Sequence, residues 1–110
     1  MKVLITGACG YLGSRAAAHL AASLPGLKLY GIDNLSRRGS ESNLPALKKL
    51  GMKVFHGDIR SQSDTDALPP ADWVLDCAAN PSVLAGSGSL SDTSSRQLLE
   101  NNLGGTVNLL

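Results

Sequence analysis

Apolar and polar positions follow one another along this chain in two kinds of block. Val3-Leu4-Ile5 is a short, continuously apolar run, the pattern of a strand buried on both faces of a parallel sheet. Glycines follow at 7, 10 and 13. Over residues 11–24 the pattern turns helical: Leu12, Ala16, Leu20 and Leu24 lie four apart, and Pro25-Gly26 supplies the stop. Residues 27–32 predict a second strand that finishes at Asp33. Strand, glycine turn, helix and strand within about 30 residues make a βαβ unit.

The alternation continues. Residues 34–43 are polar, carry Arg37, Arg38 and Gly39, and predict a loop. Residues 44–50 predict a short helix closed by Gly51. Residues 52–56 predict a third strand closed by Gly57-Asp58. Residues 62–67 predict one helical turn before the Pro69-Pro70 break, and residues 73–78 a fourth strand. Residues 80–92, rich in Ser and Gly, read as a loop, and residues 94–110 as a helix. The sum is an α/β chain with a Rossmann-like, doubly wound parallel sheet. That last helix stops on Leu109-Leu110 with no terminating Gly, Asn or Pro. Residues 1–110 are therefore expected to be the N-terminal part of a longer Rossmann domain, its sheet truncated after about four strands.

Composition narrows the function classes. A net charge of +1 and 17% charged residues argue against nucleic acid as a partner, which needs a concentrated basic surface. No apolar run is long enough to cross a membrane, and the opening apolar stretch, broken at Gly7, is too short for an export signal. Two cysteines, Cys9 and Cys77, cannot build a disulfide framework, so the cytoplasm is the expected compartment. His19 and His56 have no partners at metal-ligand spacing and read as structural.

The chemistry concentrates in Gly7-Ala8-Cys9-Gly10-Tyr11-Leu12-Gly13. The motif follows a buried strand and opens a helix, as a dinucleotide fingerprint requires. Gly7 permits the turn, Gly10 lets the backbone approach a pyrophosphate, and Gly13 lets helix and strand pack closely. Cys9, Tyr11 and Leu12 belong to the same loop. Cys9 reads as a small filler, with a redox role at a helix start as the alternative. Twenty residues beyond Gly13, at the end of the second strand, Asp33 can accept hydrogen bonds from both adenosine ribose hydroxyls and would repel a 2′-phosphate. That points to NAD rather than NADP, although Arg37 and Arg38 could pair with such a phosphate. Asp58 and Ile59, after the third strand, suit an adenine amine and ring; the alternative for Asp58 is capping its own turn. Ala78 and Ala79 are small where a cofactor would pass. Asp76, a polar residue inside the fourth strand, has no account from the sequence.

Taken in order, the glycine loop, Asp33-Asn34-Leu35, Gly57-Asp58-Ile59, Ala78-Ala79 and Asn102-Leu103-Gly104-Gly105-Thr106 resemble the extended short-chain dehydrogenase/reductases. That group holds the NAD-dependent nucleotide-sugar epimerases and dehydratases. Residues 33–40, with Asn43-Leu44 after them, look most like the CDP-paratose (CDP-tyvelose) 2-epimerase branch. The resemblance implies an enzyme that moves a hydride from a sugar carbon to NAD and back, acting on a nucleotide sugar as a homodimer. It places Asn34, Ser36 and Arg37 near the ribose and Asn80 along the nicotinamide half, and makes Asn102 a structural support. It also exposes a departure. The family's catalytic Tyr-x-x-x-Lys is missing: Tyr11 is followed at the fourth position by Arg15, and Tyr30 by Asn34. No catalytic residue is therefore expected here, and a non-catalytic NAD(P)H-binding module is the alternative.

Overall fold

The computed structural model describes residues 1–79 and 94–110; the Ser/Gly segment read as a loop, residues 80–92, lies outside them. Four parallel strands form one sheet: β1 (Lys2–Thr6), β2 (Lys28–Asp33), β3 (Lys53–His56) and β4 (Trp73–Asp76), in the order β3-β2-β1-β4. β1 pairs Leu4 with Tyr30 of β2 on one side and with Val74 of β4 on the other. Parallel neighbours need crossovers. These carry α1 (Tyr11–Ser23), α2 (Leu44–Lys49) and α3 (Gln62–Asp66), with a 3₁₀ turn, Ser40–Asn43, before α2. The C-terminal segment is one helical run in three parts: α4 (Ser95–Leu99), a π-helical turn (Glu100–Gly104) and α5 (Gly105–Asn108). The chain winds outward from β1 to β3, then returns past β1 to β4. This is the doubly wound sheet that the sequence predicts.

The period of two along β1 divides the core between the faces. Val3 and Ile5 pack with Ala17 of α1, Leu47 of α2 and Met52; Leu4 packs with Ile32 and Ile59, against Leu68 and Leu109. The apolar row of α1 docks only in part, through Leu20, which packs against the core. Leu12 and Leu24 are exposed, whereas Gly13 and Ala17 are buried. A spacing of four drifts by about 40° per step in a helix of 3.6 residues per turn, so a row so spaced cannot stay on one flat sheet. Small residues also bring the helix axis nearer the strand. Termini agree within a residue or two; β4 ends at Asp76 rather than at residue 78, where the chain turns into the site.

Candidate functional site

Chain leaving the C-terminal end of each strand meets at one cleft of about 380 Å³. It lies where the strand order reverses, between β1 and β4, the place at which open α/β sheets bind ligands. After β1, Gly7, Gly10, Tyr11, Leu12 and Gly13 line it. Gly7 has φ +59°, and a Cβ there would stand 2.8 Å from the Cys77 carbonyl oxygen. At Gly13 a Cβ would overlap the Gly7 carbonyl oxygen. Neither position accepts a side chain. Gly10 is the N-cap of α1 and offers no side-chain cap, and the first helical bond inside the cleft rim runs from Ser14 N–H to the Gly10 carbonyl, at 3.0 Å. The N–H groups of Tyr11, Leu12 and Gly13 thus have no helical acceptor. They sit at the positive end of the helix and suit an anion.

Asp33 closes β2 and joins that loop to the next. Its Oδ2 accepts the Cys9 N–H at 2.9 Å and its Oδ1 the Leu35 N–H at 2.8 Å. The second contact holds Leu35 at φ +56°, a left-handed conformation that a leucine adopts only when its surroundings impose it. A carboxylate has about four acceptor sites, so one per oxygen remains for a ligand. Asn34, Ser36 and Arg37 line the same part of the cleft together with Ser40. Ser40 Oγ donates to the Arg37 carbonyl at 2.7 Å. Arg38 is not among the lining residues.

Asp58 and Ile59 line the cleft after β3, but the Asp58 carboxylate is already engaged. It accepts the Arg60 N–H at 2.9 Å and the Arg60 guanidinium at 2.6 Å, with Asn34 Nδ2 at 3.4 Å. Of the two roles weighed for it, turn capping is the one the geometry displays. The hydrogen bonds from Arg60 hold its carboxyl below the ordinary value of 3.8, against the opposing pull of partial burial.

Past β4, Cys77, Ala78 and Ala79 line the cleft. Asp76 now has an account. Its Oδ1 accepts from the hydroxyl of Thr6 and its Oδ2 from that of Thr106, each at 2.5 Å. The buried Thr6 hydroxyl in turn accepts the N–H groups of Cys77 and Ala78, at 3.0 Å each. One carboxylate therefore ties β1, the turn after β4 and α5 together. Two more contacts seat α5. Asn108 Nδ2 donates to the Ile59 carbonyl at 2.9 Å. A Cβ on Gly105 would come within 2.5 Å of Ile59 Cδ1, so the bare glycine allows that approach.

Two expected site residues fall elsewhere, and a third is not among the described residues. Cys9 is fully buried behind the loop, and burial, reinforced by the Asp33 charge, pushes its thiol up to about 11. That reverses the lowering a redox role would need. Asn102 is exposed on the π-helical turn, and it is Asn101 beside it that lines the cleft. Asn80 lies outside the described residues. Ile32, Ser40, Gly57, Cys77 and Asn101 line the cleft without having been singled out. All five adjoin or closely follow residues that were, Asn101 standing beside Asn102. Among the described residues no helix is long and apolar enough to cross a membrane, and no group of His, Cys, Asp or Glu could hold a metal ion.

Similarity to known proteins adds to this geometry. The sequence profile of the NAD dependent epimerase/dehydratase family matches residues 3–110. The chain is 40% identical to the CDP-paratose 2-epimerase of Salmonella typhi, over all of this chain and 32% of that protein. Among solved structures, the UDP-glucose 4-epimerase of Thermus thermophilus in complex with NAD superposes with a TM-score of 0.76 at 30% identity, over 99% of this chain and 32% of that one. The UDP-glucose 4-epimerase of Stenotrophomonas maltophila, with bound NAD and formylated UDP-arabinopyranose, does so with a TM-score of 0.76 at 27% identity, over the same shares. The chain spans about a third of the length of these relatives.

Proposed function

The chain belongs to the NAD dependent epimerase/dehydratase family, and from that premise we propose that its cleft binds NAD as the cofactor-holding part of a nucleotide-sugar epimerase of the CDP-paratose 2-epimerase type. The observation that carries the reading is the pairing of two features in one cleft. The unaccepted N–H groups of Tyr11, Leu12 and Gly13 suit the pyrophosphate, and the Asp33 carboxylate keeps an acceptor site free on each oxygen for the ribose hydroxyls. Ile32, Gly57 and Ile59 give an apolar setting for the adenine, and Ala78, Ala79 and Asn101 border the other half. The 40% identity to the Salmonella typhi protein supports the CDP-sugar branch. When bound, NAD supplies the acceptor and donor of a hydride. This chain's own part is to bind and orient: no tyrosine in it stands four residues before a lysine. Action as a homodimer on a nucleotide sugar, in the cytoplasm, belongs to the same reading.

Calorimetric titration with NAD and NADP tests it. NAD binds more tightly than NADP to the unsubstituted chain. Asp33→Ala removes the charge that repels a 2′-phosphate, leaves Arg37 to pair with it, and shifts the ratio towards NADP by about tenfold, as expected for one charge-assisted contact. Tighter NADP binding by the unsubstituted chain, or an unchanged ratio in the variant, overturns the assignment of Asp33 and with it the choice of NAD.

A further inference from the structure

Asn43 occupies the N-cap of α2 and forgoes the cap. An asparagine at that position ordinarily accepts an N–H of its own helix, yet no side-chain cap forms there. Its Nδ2 instead reaches back 34 residues and donates to the Cys9 carbonyl at 2.7 Å. Cys9 is fully buried in the middle of the glycine loop, and its N–H is held by Asp33 Oδ2. The loop is thus gripped on both backbone groups of one residue, once from the end of β2 and once from the end of the 3₁₀ turn.

The peptide unit is planar, so fixing the Cys9 carbonyl also fixes the Gly10 N–H that shares its plane. That N–H donates to the Gly7 carbonyl at 3.0 Å and closes the glycine turn. The next N–H groups along the chain are those of Tyr11 and Leu12, which line the cleft. We propose that Asn43 is a positioning residue for the glycine loop. Through it, the segment that carries Ser36, Arg37 and Ser40 and the loop that faces the pyrophosphate take their shapes together. The inference rests on the NAD reading above and deepens it: Asn43 lines no part of the cleft, and its effect on the dinucleotide passes through the Cys9–Gly10 peptide.

The test uses Asn43→Ala and Asn43→Asp in the whole 110-residue chain. Aspartate keeps the shape and is as good at a helix start as asparagine, but it lacks the donor when ionised. Two ligands are titrated, NAD and adenosine, which has no phosphate. Both variants weaken NAD by about three- to tenfold, the range of one lost hydrogen bond, and change adenosine by less than about twofold. Equal losses for both ligands mean general damage and overturn the proposal, as does an Asn43→Asp variant that binds NAD like the parent at neutral pH. Nitrogen-15 spectra without ligand give an independent reading. The Gly10 and Tyr11 amides move in both variants while those of residues 53–56 stay in place; unmoved loop amides overturn the proposal. A chain that binds neither ligand defeats the NAD reading, and the spectra then still decide whether Asn43 holds the loop.

Discussion

The two sides of the sheet are built by different means. On the β2–β3 side, Leu29, Ile32, Leu47 and Met52 are nearly inaccessible, and the loop over the strand ends is fastened to backbone groups by Asp33 and Asn43. On the other side, Trp73 of β4 is 66% exposed, with Val74 and Leu75 also open. A short set of polar contacts joins the packing of Leu109 on Leu4, Ile32 and Ile59 there: Thr6 and Thr106 on Asp76, and Asn108 on the Ile59 carbonyl. Burial dominates one side and directed hydrogen bonds carry a larger share of the other, and the cleft lies across the seam. Its two halves should therefore fail in different ways.

Three substitutions sharpen that contrast. Gly13→Ala has the largest effect, because its methyl would collide with backbone alone, the Gly7 carbonyl and the Ala8 Cα. Overpacking of this kind costs about 3 kcal/mol, and urea unfolding should show a loss of that size or no folded chain at all. A loss under about 1 kcal/mol would mean that helix and strand can part here, and that the packed side is no stiffer than the other. Asp76→Ala comes next. It strands the hydrogen of the buried Thr6 hydroxyl and frees α5, at about 1–2 kcal/mol. Its mark is local: faster amide exchange at residues 77–79 and 105–108, with the glycine loop unchanged. Spread of that change to residues 9–13 would erase the distinction between the sides. Trp73→Lys is the mildest, within about 0.5 kcal/mol, because the side chain is mostly in water. The open apolar edge should nonetheless make the parent chain self-associate, and a lysine there should lower the mass seen by light scattering. A parent that stays monomeric at high concentration removes the reason for the comparison.

What could be read in advance was local. The glycine loop and Asp33 announce themselves because the βαβ unit is contiguous and its turn chemistry is carried by neighbours in sequence. Gly26 and Gly51, each at positive φ, end their helices where the pattern places the ends. The rest depends on pairs far apart in the chain. Asp76 meets partners 70 and 30 residues away, and Asn43 meets one 34 residues away; no periodicity encodes such meetings. Asp58 shows the limit differently. Its two possible roles are both readable, and only the fold shows Arg60 turned back over it to make the cap. On α1, close packing against β1 selects Gly13 and Ala17, small residues that an apolar spacing does not mark.

The π-helical turn between α4 and α5 is, in effect, an α-helix that has accommodated one additional residue, since its bonds span five residues rather than four. Each residue turns an α-helix by about 100°, so that extra position rotates everything before it relative to everything after. The turn carries Asn101, which borders the cleft, and Asn102, which does not. It also lets the two helical pieces change their relative rotation by loss or gain of a single residue, without disturbing the seat that Gly105, Thr106 and Asn108 make for α5. Lineages that drop or add a residue between positions 100 and 104 would keep that seat and present a different face of α4. In comparing such chains, the residue that borders the cleft must be counted backwards from the Gly-Thr pair rather than forwards from the helix start.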